Sequence, residues 1–429
     1  MIPATATRPP TSVEGLIQDS RNEFKVSTTA YRDPQLFEQE LQEIFYKGWV
    51  YIGHESEVAN PGDFKTAHIG RQPIIIAKSQ AGDINAFMNA CPHRGAALCR
   101  TDRGNVRSFV CSYHSWTFKT SGELVGMADR SRYPDDFPTA DKNMKKVAKL
   151  ANFHGLLFAS LSPDVPEFVD YIGAAAMHVE LWLGRALGGA YRVGAPHRYL
   201  YHGNWKFQCE NVLDGYHANS VHGSAYRTIE QFPKRFPDAG SSRAIVGVRS
   251  VGETRGYPNG HGMLGAGAAL EPGAPADVKE RYLNRLTEIN GPEKAREILN
   301  NRHLLIFPNV CIMDNNIRVI QPVRADLTEV YSYPMFMEDA EDGVNESRLG
   351  DVQARVGTAG IVNQDDLEIF HANQTALEAH GLEWVTLSRG VGKEDVLPSG
   401  ERRGHHSDET PQRAFWRAWQ SRLAAAENV

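Results

Sequence analysis

The sequence predicts an α+β chain: a small all-β unit, then a larger unit mixing helices and strands. Three observations carry this. Residues 49–162 hold short runs of β-branched and aromatic side chains between Gly, Asp and Asn turns. Residues 163–429 show helical and strand patterns together, without the regular alternation of a parallel βαβ sheet. And 429 residues exceed the ~150 that one domain usually holds.

Each element has its local signal. The first ~30 residues are Pro/Thr-rich and read as a loose arm; they lack the apolar core and small-residue cleavage site of a secretory leader. Asp33-Pro34 reads as an N-cap with proline at the first helical position. Leu36, Phe37, Leu41, Ile44 and Phe45 follow at helical spacing, so the helix is expected to end near Gly48, closing an N-terminal segment 1–48. Within 49–162, Pro73-Ile74-Ile75-Ile76 and Leu156-Leu157-Phe158 read as strands and Ser121-Gly122 as a hairpin turn. Ser162-Pro163-Asp164-Val165-Pro166 reads as a linker. Residues 262–275 are Gly/Ala/Pro-rich and read as a mobile loop. Two helical patterns over 276–300 break at Gly291-Pro292, and strand patterns follow at 304–306, 317–320 and 330–336. Thr410-Pro411 starts a last helix whose Phe415, Trp416, Trp419 and Leu423 should dock as one face.

Composition narrows the function classes. With 41% hydrophobic and 23% charged residues the chain sits near globular averages. No apolar run approaches the ~18 residues that span a bilayer, so no membrane is expected. The net charge of −6 arises from 46 basic and 52 acidic residues with no basic stripe, which argues against nucleic acid. Five irregularly spaced cysteines argue against a disulfide framework and for a reducing compartment, the cytoplasm.

Two constellations carry chemistry. Residues 91–114 read CPHRGAALCRTDRGNVRSFVCSYH. Cys91 and His93 form one pair, Cys111 and His114 another, with seventeen residues between them. Two thiolates and two imidazoles can hold tetrahedral zinc or a Rieske [2Fe–2S] cluster, with two Cys on one iron and two His on the other. Zinc fingers pair like with like, whereas each loop here offers one Cys and one His, which suits two irons of different ligation. Cys99 lies outside the pattern and reads as a small buried hydrophobe.

The second constellation is WKFQCENVLDGYHANSVH, residues 205–222. A helix would stack Glu210, Asp214 and His217 on one face. His222 lies five residues past His217, about 140° around an ideal helix, so both reach one metal only if the helix ends, bends or bulges between them. Gly215 and Asn219-Ser220 favour such a distortion. Two histidines are two thirds of the 2-His-1-carboxylate triad of non-haem Fe(II) oxygenases, which leaves positions open for O₂. Gln364-Asp365-Asp366 supplies two carboxylates for the third place.

With its motifs C-x-H-x₁₇-C-x₂-H and E-x₃-D-x₂-H-x₄-H, the chain resembles, over roughly residues 30–425, the large (α) subunits of Rieske non-haem iron ring-hydroxylating oxygenases. The resemblance implies a β-sandwich Rieske domain, residues 49–162. It also implies a catalytic domain, residues 163–429, whose antiparallel sheet wraps a long helix in a helix-grip fold. Cys91, His93, Cys111 and His114 match the family's cluster ligands, and His217, His222 and Asp366 its mononuclear iron ligands. Asp214 matches the carboxylate that bridges an iron histidine to a cluster histidine of the neighbouring subunit, and Asn211 a polar residue near the iron. The tail DDLEIF…Q…SRG…FWRAW is most similar to the benzoate, anthranilate, halobenzoate, salicylate and terephthalate enzymes, which commonly assemble with a small β subunit as α₃β₃.

The implied activity is dihydroxylation of an aromatic carboxylate with O₂, expected to give a cis-dihydrodiol. A monohydroxylase of the salicylate 5-hydroxylase type shares every motif. A plain Rieske electron carrier needs only ~160 residues and leaves His217, His222 and Asp366 unexplained. A zinc-binding interaction module is the remaining alternative. The chain has no G-x-G-x-x-G after a strand and no second Cys₄ pattern, so electrons from NAD(P)H must arrive through a separate reductase, with or without a ferredoxin. Arg318, in the strand pattern Asn316-Ile317-Arg318-Val319-Ile320, is the expected substrate residue, because a guanidinium fork matches a carboxylate. The competing reading pairs it with Asp314 or Asp326.

Overall fold

Caps and turns fix the ends of the elements, and burial decides how they stack. The computed structural model describes residues 12–232, 252–268, 275–313, 315–341, 343–358 and 360–427. Asp33 caps α1 (Pro34–Glu40), accepting from the Gln35 amide at 2.8 Å, and a π-helical turn, Leu41–Tyr46, carries the helix almost to Gly48. The expected loose arm is ordered from residue 12 onward: Ile17–Asp19 pairs with Phe24–Ser27, which pairs with Trp384–Thr386. Val13, Phe24 and Val26 are fully buried there. Alternate burial of Phe24 and Val26 along a strand outweighs the loop-like composition before it; residues 1–11 lie outside the described residues.

The first unit is three small antiparallel sheets. One orders Ile84–Met88, Gln72–Lys78, Asp63–Ile69 and Arg103–Asn105; a second orders Leu124–Gly126, Thr117–Lys119 and Ser108–Val110. The third joins Lys149–Phe153, Leu156–Ser160 and Val50–His54. Ser121-Gly122 turns a hairpin as expected, with Gly122 at φ 96° and its amide donating to Lys119 O at 2.9 Å. Phe64, Ile75, Phe87, Phe109, Trp116 and Phe118 form a core that also holds Cys91 and Cys111.

The second unit is one long antiparallel sheet. Its centre runs β1 (Gly262–Ala268), β2 (Asn300–Ile306), β3 (Val310–Met313), β4 (Asn316–Arg324) and β5 (Leu327–Met337), each paired with the next. The loop expected at 262–275 is therefore a strand over 262–268, while 269–274 lie outside the described residues. Close packing explains its first glycine. A Cβ on Gly262 would stand 2.5 Å from Leu213 Cδ1, and one on neighbouring Gly256 2.6 Å from Ala414 Cβ. The helices Ala276–Asn290 and Pro292–Leu299 meet at Gly291, φ 77°. The last helix, Thr410–Glu427, lies against this sheet and buries Phe415, Trp416, Trp419 and Leu423 as its pattern predicts.

Candidate metal centres

Two loops of the first unit repeat one hydrogen-bond pattern around Cys91 and Cys111. In one, Gly95 N donates to Cys91 O and Cys91 N to Ala96 O, both at 2.8 Å. In the other, Ser115 N donates to Cys111 O at 2.9 Å and Cys111 N to Trp116 O at 2.8 Å. Each loop turns through a left-handed residue, Gly95 at φ 75° and Ser115 at φ 56°. The result brings His93 and His114 together, ring centroids 4.6 Å apart, with His93 stacked on Trp116. Burial pushes the Cys91 thiol up from its ordinary value; the amides of His93 and Arg94 oppose the rise, and Cys111 beside it adds to it. Nδ1 of both His93 and His114 is buried without a hydrogen bond. Paired sulfurs on one side and two unsatisfied imidazole nitrogens on the other fit a cluster with Cys₂ and His₂ irons.

The second centre differs from its expected local geometry. Glu210, Asp214 and His217 do not share a helix face, because α2 (Lys206–Val212) ends before Asp214. The chain breaks at Gly215, where a Cβ would stand 2.1 Å from His406 O, and the Gly215 carbonyl is bonded by His406 Nε2 at 2.9 Å. Glu210 stays on α2 in the aromatic core, accepting from Tyr31 Oη and Trp416 Nε1 at 2.7 Å each; burial lifts its carboxyl to about 7. Asp214 sits in the turn and accepts from the amides of Tyr216 (2.7 Å) and His217 (2.9 Å). Burial would raise its carboxyl, but the His217 ring and these amides outweigh it and hold it below the usual value.

His217 and His222 flank a single turn, α3 (Ala218–Val221), so the helix ends between them and both rings face one point. Asp366, in the first turn of α5 (Asn363–Ala376), completes the set; the intervening helix α4 is Gly223–Gln231. Asp366 Oδ1 is 3.6 Å from His217 Nε2 and 3.5 Å from His222 Nε2, and the three candidate ligand atoms lie within 4.8 Å of one another. Asn211 Nδ2 donates to Asp366 Oδ1 at 3.1 Å and stands 3.3 Å from His217 Nε2. Two imidazole nitrogens and one carboxylate oxygen converging on one point fit a mononuclear iron. Asp365 turns away from this point, toward Ser224 and the far side of His222.

The triad opens into a cavity of about 120 Å³. Val212, Leu264, Met313 and Val362 give it apolar walls, while Asn315, Asn316, His303 and Arg318 add polar groups. Arg318 is 2% exposed, and its Nε makes no hydrogen bond. Asp326 pairs with Arg324 at 2.9 Å instead, and Asp314 lies outside the described residues. Among the described residues no carboxylate is within ion-pair distance of Arg318. A larger cleft of about 330 Å³ lies between the two units; its buried Lys65 is paired with Glu57 at 2.6 Å, and none of the triad residues lines it.

Residues 48–144 match the Rieske [2Fe-2S] domain family, and residues 189–425 match the ring hydroxylating alpha subunit (catalytic domain) family. The 2-halobenzoate 1,2-dioxygenase large subunit of Burkholderia cepacia is 33% identical over 406 residues, covering 91% of this chain and 86% of the relative. The chain belongs to the ring-hydroxylating dioxygenase α subunits. Toluate 1,2-dioxygenase subunit alpha of Pseudomonas putida is also 33% identical, with 88% of this chain and 85% of the relative covered. A crystal structure of naphthalene 1,2-dioxygenase with indole in its active site superposes with a TM-score of 0.83 at 26% identity, covering 97% of this chain and 94% of that one. The α subunit is thus a terminal oxygenase component that carries a Rieske [2Fe–2S] cluster and a mononuclear iron. Among its described residues no helix is long and apolar enough to cross a membrane.

Sequence reasoning missed part of this α subunit's cavity. Asp351 and Arg355, paired at 2.6 Å across one turn at a π-helical segment, Val352–Val356, line it together with His303 on β2. Their i,i+4 spacing signals a helix pair, but nothing in it points to a cavity.

Proposed function

We propose that this α subunit hydroxylates an aromatic carboxylate, with Arg318 as the carboxylate anchor. The observation that carries the reading is a buried guanidinium without a described acidic partner, in the same cavity as the His217–His222–Asp366 triad. An uncompensated buried charge is unfavourable, and a substrate carboxylate supplies both the counter-charge and a matching bidentate geometry. The 2-halobenzoate, toluate and anthranilate dioxygenase relatives support the same substrate class.

In this reading Cys91, Cys111, His93 and His114 hold the cluster, and His217, His222 and Asp366 hold the iron. When bound, these groups supply single electrons and O₂ chemistry. The chain's own residues do the rest. Arg318 fixes the ring at its carboxylate end, the apolar walls exclude water, Asn211 steadies Asp366, and Asp214 orients His217. Asp214 keeps 21% of its side chain exposed, enough for a cluster histidine of a neighbouring subunit to reach it. A β subunit in an α₃β₃ assembly suits relatives called large subunit or subunit alpha. A reductase, with or without a ferredoxin, supplies electrons from NAD(P)H. Five buried cysteines with no disulfide among them suit the reducing cytoplasm.

The test is Arg318→Leu. Losing a charge-assisted contact costs about 2 kcal/mol or more, so KM for benzoate-class acids should rise roughly 30-fold or more while their methyl esters are little affected. Cluster absorbance and iron content should stay unchanged. Equal losses for acid and ester would make Arg318 a structural residue.

A further inference from the structure

Each histidine of the triad has two ring nitrogens, and only Nε2 faces the metal point. For Nε2 to present a lone pair, Nδ1 must carry the proton and needs an acceptor behind it. Behind His217 that acceptor is Asp214, 3.5 Å from Nδ1. Behind His222 stands Asp365: its Oδ2 is 3.5 Å from His222 Nδ1, which is buried and makes no hydrogen bond of its own.

We infer that Asp365 is a positioning residue for His222, holding the ring in the tautomer and orientation that metal binding requires. This rests on the reading of His217, His222 and Asp366 as ligands. Asp365 and Asp366 are neighbours in the first turn of α5, so their side chains diverge by about 100°. One carboxylate reaches Nε2 in the cavity and the other reaches Nδ1 behind the same ring. Asp365 is itself clamped: Ser224 Oγ, in the first turn of α4, lies 3.0 Å from both of its oxygens. Because His222 is the N-cap position of that helix, the clamp ties the carboxylate to the backbone that carries the ring. The 3.5 Å separation is longer than a good hydrogen bond, as is common before a site closes on its ligand.

The experiment is equilibrium dialysis against Co(II), on oxygenase whose cluster is in place and whose mononuclear iron has been chelated out. Asp365→Ala should weaken Co(II) binding ten- to hundredfold, with cluster absorbance and melting temperature unchanged. Asp365→Asn keeps an oxygen acceptor and should return to within about fivefold of wild type. Ser224→Ala, which frees the carboxylate, should weaken binding about threefold; it decides the matter if the alanine variant at 365 does not fold. Asp365→Ala within twofold of wild type overturns the inference. So does equal weakening by Ala and Asn, since that would mean charge alone matters. Asp366→Ala separates the two levels. If it binds Co(II) normally, the ligand reading fails; if it loses Co(II) while Asp365→Ala binds normally, only the positioning role fails.

Discussion

The two metal centres are built in opposite ways. The cluster site draws its four candidate ligands, Cys91, His93, Cys111 and His114, from within residues 91–114, on two loops with the same turn and the same backbone hydrogen bonds. The mononuclear site joins a broken helix to another far along the chain: 155 residues separate Asn211 from Asp366, whose side chains touch. A site made by local turns needs little beyond those turns and a small core beneath them. A site made by packing inherits every dependence of that packing: the Gly215 break against His406, the sheet under α2, and the first turn of α5. The first should therefore fail as a unit, while the second should fail residue by residue.

The largest effect expected is from Cys91→Ser. Removing one thiolate should abolish the visible cluster absorbance and all turnover, and should lower the melting temperature, because cluster binding is also folding energy. Co(II) binding at the mononuclear site should persist. If that binding disappeared as well, the two centres would not be independent.

Asp366→Ala is the converse case. It should empty the mononuclear site and lower turnover at least a thousandfold, with cluster absorbance intact, as read by metal analysis and the visible spectrum. Normal iron content in this variant would place the third ligand elsewhere.

Asp214→Ala should retain both metals yet lose turnover by about one to two orders of magnitude, since its carboxylate supports His217 without joining the triad. Rapid-mixing spectra should show a cluster that reduces normally but is reoxidised slowly when substrate and O₂ are added. Turnover near the wild-type rate would remove Asp214 from the electron path.

The smallest effect concerns pH and the core behind Asn211. Burial raises Glu210 from 4.5 to about 7 in the folded chain. Below pH 4.5 both folded and unfolded forms carry the proton, so the contribution of Glu210 to stability is at its full value. Between 4.5 and about 7 the unfolded chain ionises first, and this contribution falls by on the order of 3 kcal/mol before levelling off. Glu210→Gln should flatten this slope in the unfolding of the catalytic unit and leave the cluster's own loss curve unchanged. Parallel pH profiles for the two proteins would show that Glu210 does not titrate there.

What the sequence alone determined was whatever depends on near neighbours. The Cys/His loops are legible because a cluster needs those donors at that spacing. Asp33-Pro34 and Ser121-Gly122 are legible because a cap or tight turn is satisfied within a few residues, and Thr410-Pro411 because proline is tolerated in a helix's first turn. His217 and His222 are legible as a pair with a break between them, because helical geometry forbids any other way for both to meet one metal. Tertiary structure decided the rest. Residues 262–268 look like a loop, yet form a strand paired with β2, and the glycine at 262 is explained by the close approach of Leu213 and Pro411. Asp214 looks helical, yet sits in a turn made by the His406 contact. Two adjacent aspartates look equivalent, and only the packing of α5 against α3 and α4 sends Asp366 to the cavity and Asp365 behind the ring. Spacing encodes what a residue can reach along its own element; which side of a distant imidazole it meets is set by how whole elements stack.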